Sequence, residues 1–399
     1  GFSTCSQVRQ TSSLAVTITG MAGGGAGRFF TWHNISSYAH TFAAQSASST
    51  AANRFALTAD LVVPSGQSRS FWYDATTARW RLLGIPYNRP FTIAGGRLTL
   101  ETGVPVTTSD QTGKTTIYYA PYVSNTINLW DGLTWNTHEF SELSQTLADT
   151  TKSPAAAAIN SIYDMFVWND AGTLRCTRGP AWSSSSARGI GAGTTEIERV
   201  GGVLMNKVAI TNGPAANRGV YVGSIATNGS GANGEMAMMY GPAAAAGGTN
   251  NRLDVRNMYN RVSIRSVVRD STNTWPYGTA TWRSSNNSTS NRVTFINCLN
   301  EDLVSAVAVQ SGSSASSGGG FQVGIGIDST SANHGLSSVA YTSGSGGQMG
   351  GVCHFSSASG LGSHYLQMVE RGNGTSCDFF GDNSDATAYQ SGMIVTTMG

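Results

Sequence analysis

Nowhere in its 399 residues does the chain sustain the 3.6-residue apolar repeat of a helix; it alternates in brief strand-like runs instead. The first runs cover residues 14–19, 28–33, 40–44, 53–57, 61–64, 67–74 and 79–83. Turn formers at Pro64-Ser65-Gly66 and Asp74-Ala-Thr-Thr77 punctuate them. Short runs at such regular spacing predict stacked or closed sheets. Phe71-Trp72-Tyr73 and Trp80 supply the large apolar surface that a domain this small needs. Residues 1–83 therefore read as a small β-sandwich.

Residues 84–114 carry Pro86, Pro90 and Pro105 among several glycines and read as an extended connector. Short strands at 91–93 and 98–100 are expected to pair within an oligomer. Residues 115–132 then read as one β-segment, the entry strand of the main domain. Pro121 in its middle denies a backbone donor and predicts an edge or bent strand. Asp131-Gly132 predicts a tight turn. Pro154 and Ala155–Ala158, with Ser153 as cap, suggest one helical turn. Strand runs continue from 162–168 to 393–396, interrupted by a low-complexity stretch at 311–320 that reads as a mobile loop and a subdivision point. The expected fold is all-β, with a larger β-sandwich or jelly-roll-like domain over residues 115–399.

Charged residues make up only 12% of the chain, net charge is +2, and 40% of residues are hydrophobic. The hydrophobic share argues against disorder. The weak net charge argues against nucleic acid as a partner. No apolar run approaches a membrane span and no signal peptide is visible, although an opening on Gly1-Phe2 is compatible with residues preceding it in the gene product. Many short strands expose edges, and charge is their usual guard. Here charge is scarce, so copies of the chain are the expected cover, as a homotrimer. The five cysteines, at 5, 176, 298, 353 and 377, include no C-x-x-C pair, and their odd count leaves at least one thiol unpaired within the chain. Buried free thiols are the ordinary reading; Cys5, near a terminus, is the candidate for an inter-chain disulfide.

Gly229-Ser-Gly-Ala-Asn-Gly234 matches a dinucleotide fingerprint, with Asp254 near the place of a ribose-binding acid. Gly241-Pro242 would stop the helix that the motif requires, so a hairpin loop is expected. Gly113-Lys114-Thr115 resembles the end of a phosphate loop, but Thr108 stands where its first glycine belongs. No G-x-S-x-G occurs. His354 and His364, near Cys353 and Cys377, lack the close spacing of a zinc site. Asp378, Asp382 and Asp385 cluster around Gly381, preceded by Glu370. Such a loop offers the hard oxygens that calcium takes, or the carboxylate pair of a glycosidase, but Asp is also a common turn former, and solvated turn residues are the favoured reading. No catalytic residue, cofactor or metal is assigned. Trp275, Tyr277 and Trp282 could stack on sugars or pack across strands, the second being favoured. Arg252, Arg256, Arg261, Arg265 and Arg269 read as surface or inter-subunit contacts.

Several stretches carry a resemblance. Asn53-Arg-Phe-Ala-Leu57, Val63-Pro-Ser-Gly66 and Arg79-Trp-Arg81 resemble a small β-domain that recurs in fibre proteins of tailed bacteriophages. Tyr118-Tyr-Ala-Pro-Tyr-Val123, Tyr163-Asp-Met-Phe-Val-Trp168, Arg175-Cys-Thr-Arg-Gly-Pro-Ala-Trp182 and Arg218-Gly-Val-Tyr-Val-Gly223 are similar to a family of phage fibre and spike proteins. So are Gly193-Thr-Thr-Glu196, Asn206-Lys-Val-Ala-Ile210, Met258-Tyr-Asn-Arg-Val262, Val268-Arg-Asp-Ser271 and Thr281-Trp-Arg283. The resemblance spans roughly residues 115–310 and fades beyond. It implies a β-rich homotrimer on the virion, projecting from head, collar or tail, bound to other virion proteins and adhering to a host surface glycan. The alternative it leaves is a tailspike-type glycan depolymerase.

Overall fold

The structure, a computed structural model, describes residues 6–58, 60–83, 93–242, 244–300 and 302–399. The described chain is 49% strand and 2% helical, so the all-β expectation holds. It divides into two compact units, residues 1–89 and 90–399.

Alternation builds the small unit. In Phe29–Asn34 the side chains of Phe30, Trp32 and Asn34 turn inward, and in Ser68–Asp74 those of Phe71 and Tyr73 do the same. These strands lie between Gln7–Gln10 and Arg79–Leu83 in a four-stranded sheet; Thr17–Ile18, His40–Phe42 and Leu61–Val63 form a second sheet. Phe42 joins the two, its ring centroid 5.2 Å from that of Trp32 and 4.8 Å from that of Phe71. Buried Asn34 donates its Nδ2 to the Val63 and Tyr38 carbonyls, so the polar group inside this aromatic core is satisfied.

In the larger unit the twelve-residue strand Leu303–Ser314 is the spine. It pairs along its whole length with Gly347–Ala358 and, on its other edge, with Gly392–Met398 and Cys377–Phe380. Ser263–Asp270 extends that eight-stranded sheet beyond Gly392–Met398. A second eight-stranded sheet contains Gly320–Ile327, Gly362–Gly372, Arg292–Asn297 and Asn250–Leu253. Val304, Ala306, Ala308, Phe355 and Val395 from the first sheet share one core with Val293, Phe295, Val323, Ile325 and Leu366 from the second. A six-stranded sheet carries Ile162–Asp170, Thr173–Ala181 and Val220–Ala226, and its Met165, Val167 and Val222 join the same core.

Four expectations need correction. The connector expected over residues 84–114 lies partly outside the described residues, but from Ile93 onward it is built into the larger unit. Gly96–Thr99 pairs antiparallel with Thr116–Pro121, and Gln111–Lys114 pairs with Met236–Met238. Leu98 and Leu100 are each only 2% exposed, and buried Arg97 donates to the carbonyls of Pro105, Asn260 and Gly399. The prolines and glycines there mark turns inside a folded segment. Residues 115–132 are two strands in different sheets, Thr116–Pro121 and Thr126–Trp130. The first is central, between Leu143–Thr146 and Gly96–Thr99, and Pro121 is tolerated because it is the last residue of the strand. The Asp131-Gly132 turn forms as expected, joining Thr126–Trp130 to Trp135–Glu139.

Residues 311–314 are strand rather than loop, paired on both edges. Gly312 permits this closeness, since a Cβ there would stand 2.7 Å from the Asp378 carbonyl oxygen and 2.8 Å from the Phe321 ring. No helix forms at residues 155–158: the Ala157 amide donates to the Leu147 carbonyl, and Ser153 is buried, bonded to Gln145 and the Arg178 carbonyl. Tertiary pairing overrides alanine's propensity there. Among the described residues no helix is long and apolar enough to cross a membrane.

One buried ion pair locks the six-stranded sheet. Asp164, wholly buried, accepts from Arg188 Nε at 2.6 Å and Nη2 at 3.2 Å, and from the hydroxyls of Thr195 and Ser224. Arg188 also donates to the Cys298 carbonyl and lies 4.4 Å over the Trp182 ring. Removing one partner strands the other charge away from water. Asp164→Ala should therefore lower stability by about 3–5 kcal/mol in urea unfolding. The volume-matched pair Asp164→Leu with Arg188→Met should recover most of that loss; a single variant as stable as the parent would refute the assignment.

Candidate functional surfaces

The polar residues singled out by sequence are mostly consumed by structure. Asp382 and Asp385 accept the amides of their own turns, Ser384 N for the first and Thr387 N and Ala388 N for the second. Asp378 sits on the strand Cys377–Phe380 opposite Pro276, exposed. The structure gives these three the geometry of turn and strand residues, and among the described residues no three His, Cys, Asp or Glu side chains gather as a metal would require. Glu370 lies apart from them: it is wholly buried and binds Arg283 Nη2 at 2.7 Å and Trp275 Nε1 at 2.8 Å. Trp275 stacks on Phe379 in the core, so the cross-strand role holds for it; Trp282 lies off the strands, half-buried against Gly324. Tyr277 is half-buried beneath the Arg283 guanidinium, 3.7 Å from its ring.

Gly229–Gly234 falls in the loop between Val220–Ala226 and Met236–Met238, which belong to different sheets, so it connects two sheets rather than closing the expected hairpin; the Ser230 and Glu235 amides fold onto Asn228. Asp254 is buried and holds Arg252 through both oxygens, at 2.8 and 3.0 Å, while accepting the Ala237 amide. The arginine series is likewise internal in part. Arg256 and Arg261 both bind Asp302, so neither is the surface or inter-subunit contact expected of it. His364 Nδ1 pairs with Asp328 at 2.7 Å, and that hydrogen bond holds its pKa above the ordinary imidazole value. Cys176, Cys298, Cys353 and Cys377 are free and buried; Cys5 lies outside the described residues.

What stays open is a face rather than a cluster. The spine strand Leu303–Ser314 turns alternate residues outward, as do its neighbours Gly347–Ala358 and Gly392–Met398. Leu303, Val309, Val352, Ile394 and Met398 stand on this face between 38% and 61% exposed. Register makes them continuous: Val307 lies beside Ile394 on one side and His354 on the other, Val309 beside Val352, and Met398 beside Ser263. The remaining outward positions of the three strands are Ser, Thr, Gly, Gln and Ala, and none is acidic. A groove of about 430 Å³ crosses it, between Leu336 on the rim and Val307, His354 and Ile394 on its floor. Sequence alternation marked these strands, but not which of their faces would be left uncovered.

Buried Asp254, away from this face, gives the larger unit a pH signature. Burial pushes its carboxyl up to about 6, against the opposing pull of Arg252 and the Ala237 amide. Folded chains thus hold this proton more tightly than unfolded ones. Its stabilisation is complete below the unfolded value of about 4 and is lost as pH rises through about 6. Relative to Asp254→Asn, the parent should lose about 2 kcal/mol of unfolding free energy between pH 4 and pH 6. A pH-independent difference between the two in urea titrations would remove the assignment. No protein-family model matches the chain, and comparison with curated proteins finds no match.

Proposed function

We propose that this chain is a structural virion protein of a tailed bacteriophage, forming a homotrimeric fibre or spike on head, collar or tail that helps the particle adhere to its host. The observation that carries this reading is the charge-poor, partly apolar outer face of the sheet built on Leu303–Ser314, on which exposed Asp378, beside Ser313, and Arg265, beside Thr396, are charged. Apolar faces of this extent on a lone subunit invite association. Copies of the same chain are the fitting occupant, because the three central strands Leu303–Ser314, Gly347–Ala358 and Gly392–Met398 turn no acidic side chain outward and their serines and glycines let backbones approach closely. A cyclic arrangement turns three such faces toward one axis and leaves no open surface of this kind. The low charge of the whole sequence and its resemblance to phage fibre and spike proteins point the same way.

The function so read is mechanical and adhesive, without catalysis. Three copies multiply weak contacts at the host surface, where avidity rather than single-site affinity holds the particle.

Light scattering at micromolar concentration should give three times the chain mass. Val307→Glu combined with Ile394→Glu places two charges on the face and should yield monomers with an unchanged β-type circular dichroism spectrum. A monomeric parent protein ends the trimer reading. Antibody labelling of particles in the electron microscope should mark a projection, and release of reducing ends from host polysaccharide would replace the adhesive reading with an enzymatic one.

A further inference from the structure

Far along the chain from the outer face, three connections of the larger unit converge on an open groove of about 600 Å³. They are the turn after Thr126–Trp130, the turn after Ile162–Asp170, and the loop between Val203–Asn206 and Val220–Ala226. That volume lies within the range of small-molecule sites. Trp130, Trp168, His138, Asn136, Asp131 and Arg218 line it.

Each connection is held from beneath. Asn206, buried, donates Nδ2 to the carbonyls of Val208 and Ala215 and accepts the Gly219 amide, which fixes the long loop. Asn169 Oδ1 accepts the Gly172 amide at 2.6 Å across its turn. Asp131 accepts the amides of Leu133 and Thr134, the Thr134 hydroxyl and Asn136 Nδ2, so its oxygens are committed to the turn.

Arg218 is the exception. Among the described residues its guanidinium forms no ion pair, and its one hydrogen bond is a 3.5 Å contact to the adjacent Asn217 carbonyl. Its position is nonetheless set: a Cβ on Gly132 would fall 2.1 Å from Arg218 Nη2, so the guanidinium rests on that glycine, whose φ of +103° few other residues adopt. A fork of donors held at a groove and left without an acceptor suits a carboxylate-bearing ligand. Trp130, half-buried and 5.5 Å from Trp135, supplies the aromatic surface on which a sugar ring packs. Burial lowers the His138 pKa against the pull of Asp131, which leaves a neutral imidazole able to hydrogen-bond a hydroxyl at pH 7.

We propose that this groove binds an acidic saccharide, with Arg218 taking the sugar carboxylate and Trp130 the ring. The proposal rests on the adhesive reading above and gives it a ligand class and a place. Oligogalacturonate and oligosialate titrated into the full chain should bind at low salt and weaken as salt rises, whereas neutral dextran oligosaccharides should not bind. Arg218→Gln should weaken acidic-sugar binding at least tenfold, Trp130→Ala comparably, and Arg218→Lys less than Arg218→Gln, with melting temperatures of the two Arg218 variants unchanged. Equal binding by Arg218→Gln and the parent, binding of dextran as tight as that of the acidic sugars, or no binding of either acidic sugar overturns the groove assignment. A parent protein that adsorbs to host cells as well as its Arg218→Gln variant does so also overturns it, while sparing the adhesive function. A parent that binds the sugars and yet fails to adsorb upholds the groove and overturns the adhesive function.

Discussion

The seam between the two eight-stranded sheets is the contact on which the larger unit depends. Leu303–Ser314 buries Val304, Ala306 and Ala308 on one side of its pleat against Val323, Ile325 and Leu366, and leaves Leu303, Val307 and Val309 on the other. A strand alternates with a period of two, so slipping its register by one residue would exchange these two sets. Twelve paired positions with Gly347–Ala358 and six with Gly392–Met398 hold it in place. The core and the uncovered face are thus two sides of one constraint, and whatever partner covers the face inherits the register of the core.

With few charged residues, the chain puts several of them to internal use. Asp164 with Arg188, Glu370 with Arg283, and Asp302 with Arg256 are buried pairs that tie separate strands and loops together. Asparagine does similar work without charge: Asn34 bridges the two sheets of the small unit, and Asn206 pins the loop that carries Arg218. Buried amides of this kind cost little when every group finds a partner, and they specify one arrangement of loops. Arg218 stands apart because, among the described residues, no carboxylate meets its guanidinium.

How much was legible from sequence varied by element. Short alternating runs and the Asp131-Gly132 turn were readable, since each follows from side-chain period or from backbone freedom at glycine. The supposed connector was not, because Pro105 and Gly103 punctuate a folded excursion as readily as a linker. Residues 311–314 misled for a related reason: serine and glycine signal a loop by composition, yet Gly312 is there so that Phe321 and the neighbouring strand can come close. The candidate sites fared likewise. Asp378, Asp382 and Asp385 lie close in sequence yet do not gather into a metal-sized cluster among the described residues, while Trp130 and Arg218 are distant in sequence and share one groove.

Sequence by itself determined that this would be a strand-built, charge-poor chain, because residue period and composition act locally and need no partner to be read. Only the tertiary structure decided which face of Leu303–Ser314 is buried, which arginines find carboxylates, and which one is left facing a groove. Those outcomes turn on contacts between residues a hundred or more positions apart, whose pairing energy exists only once the sheets have closed.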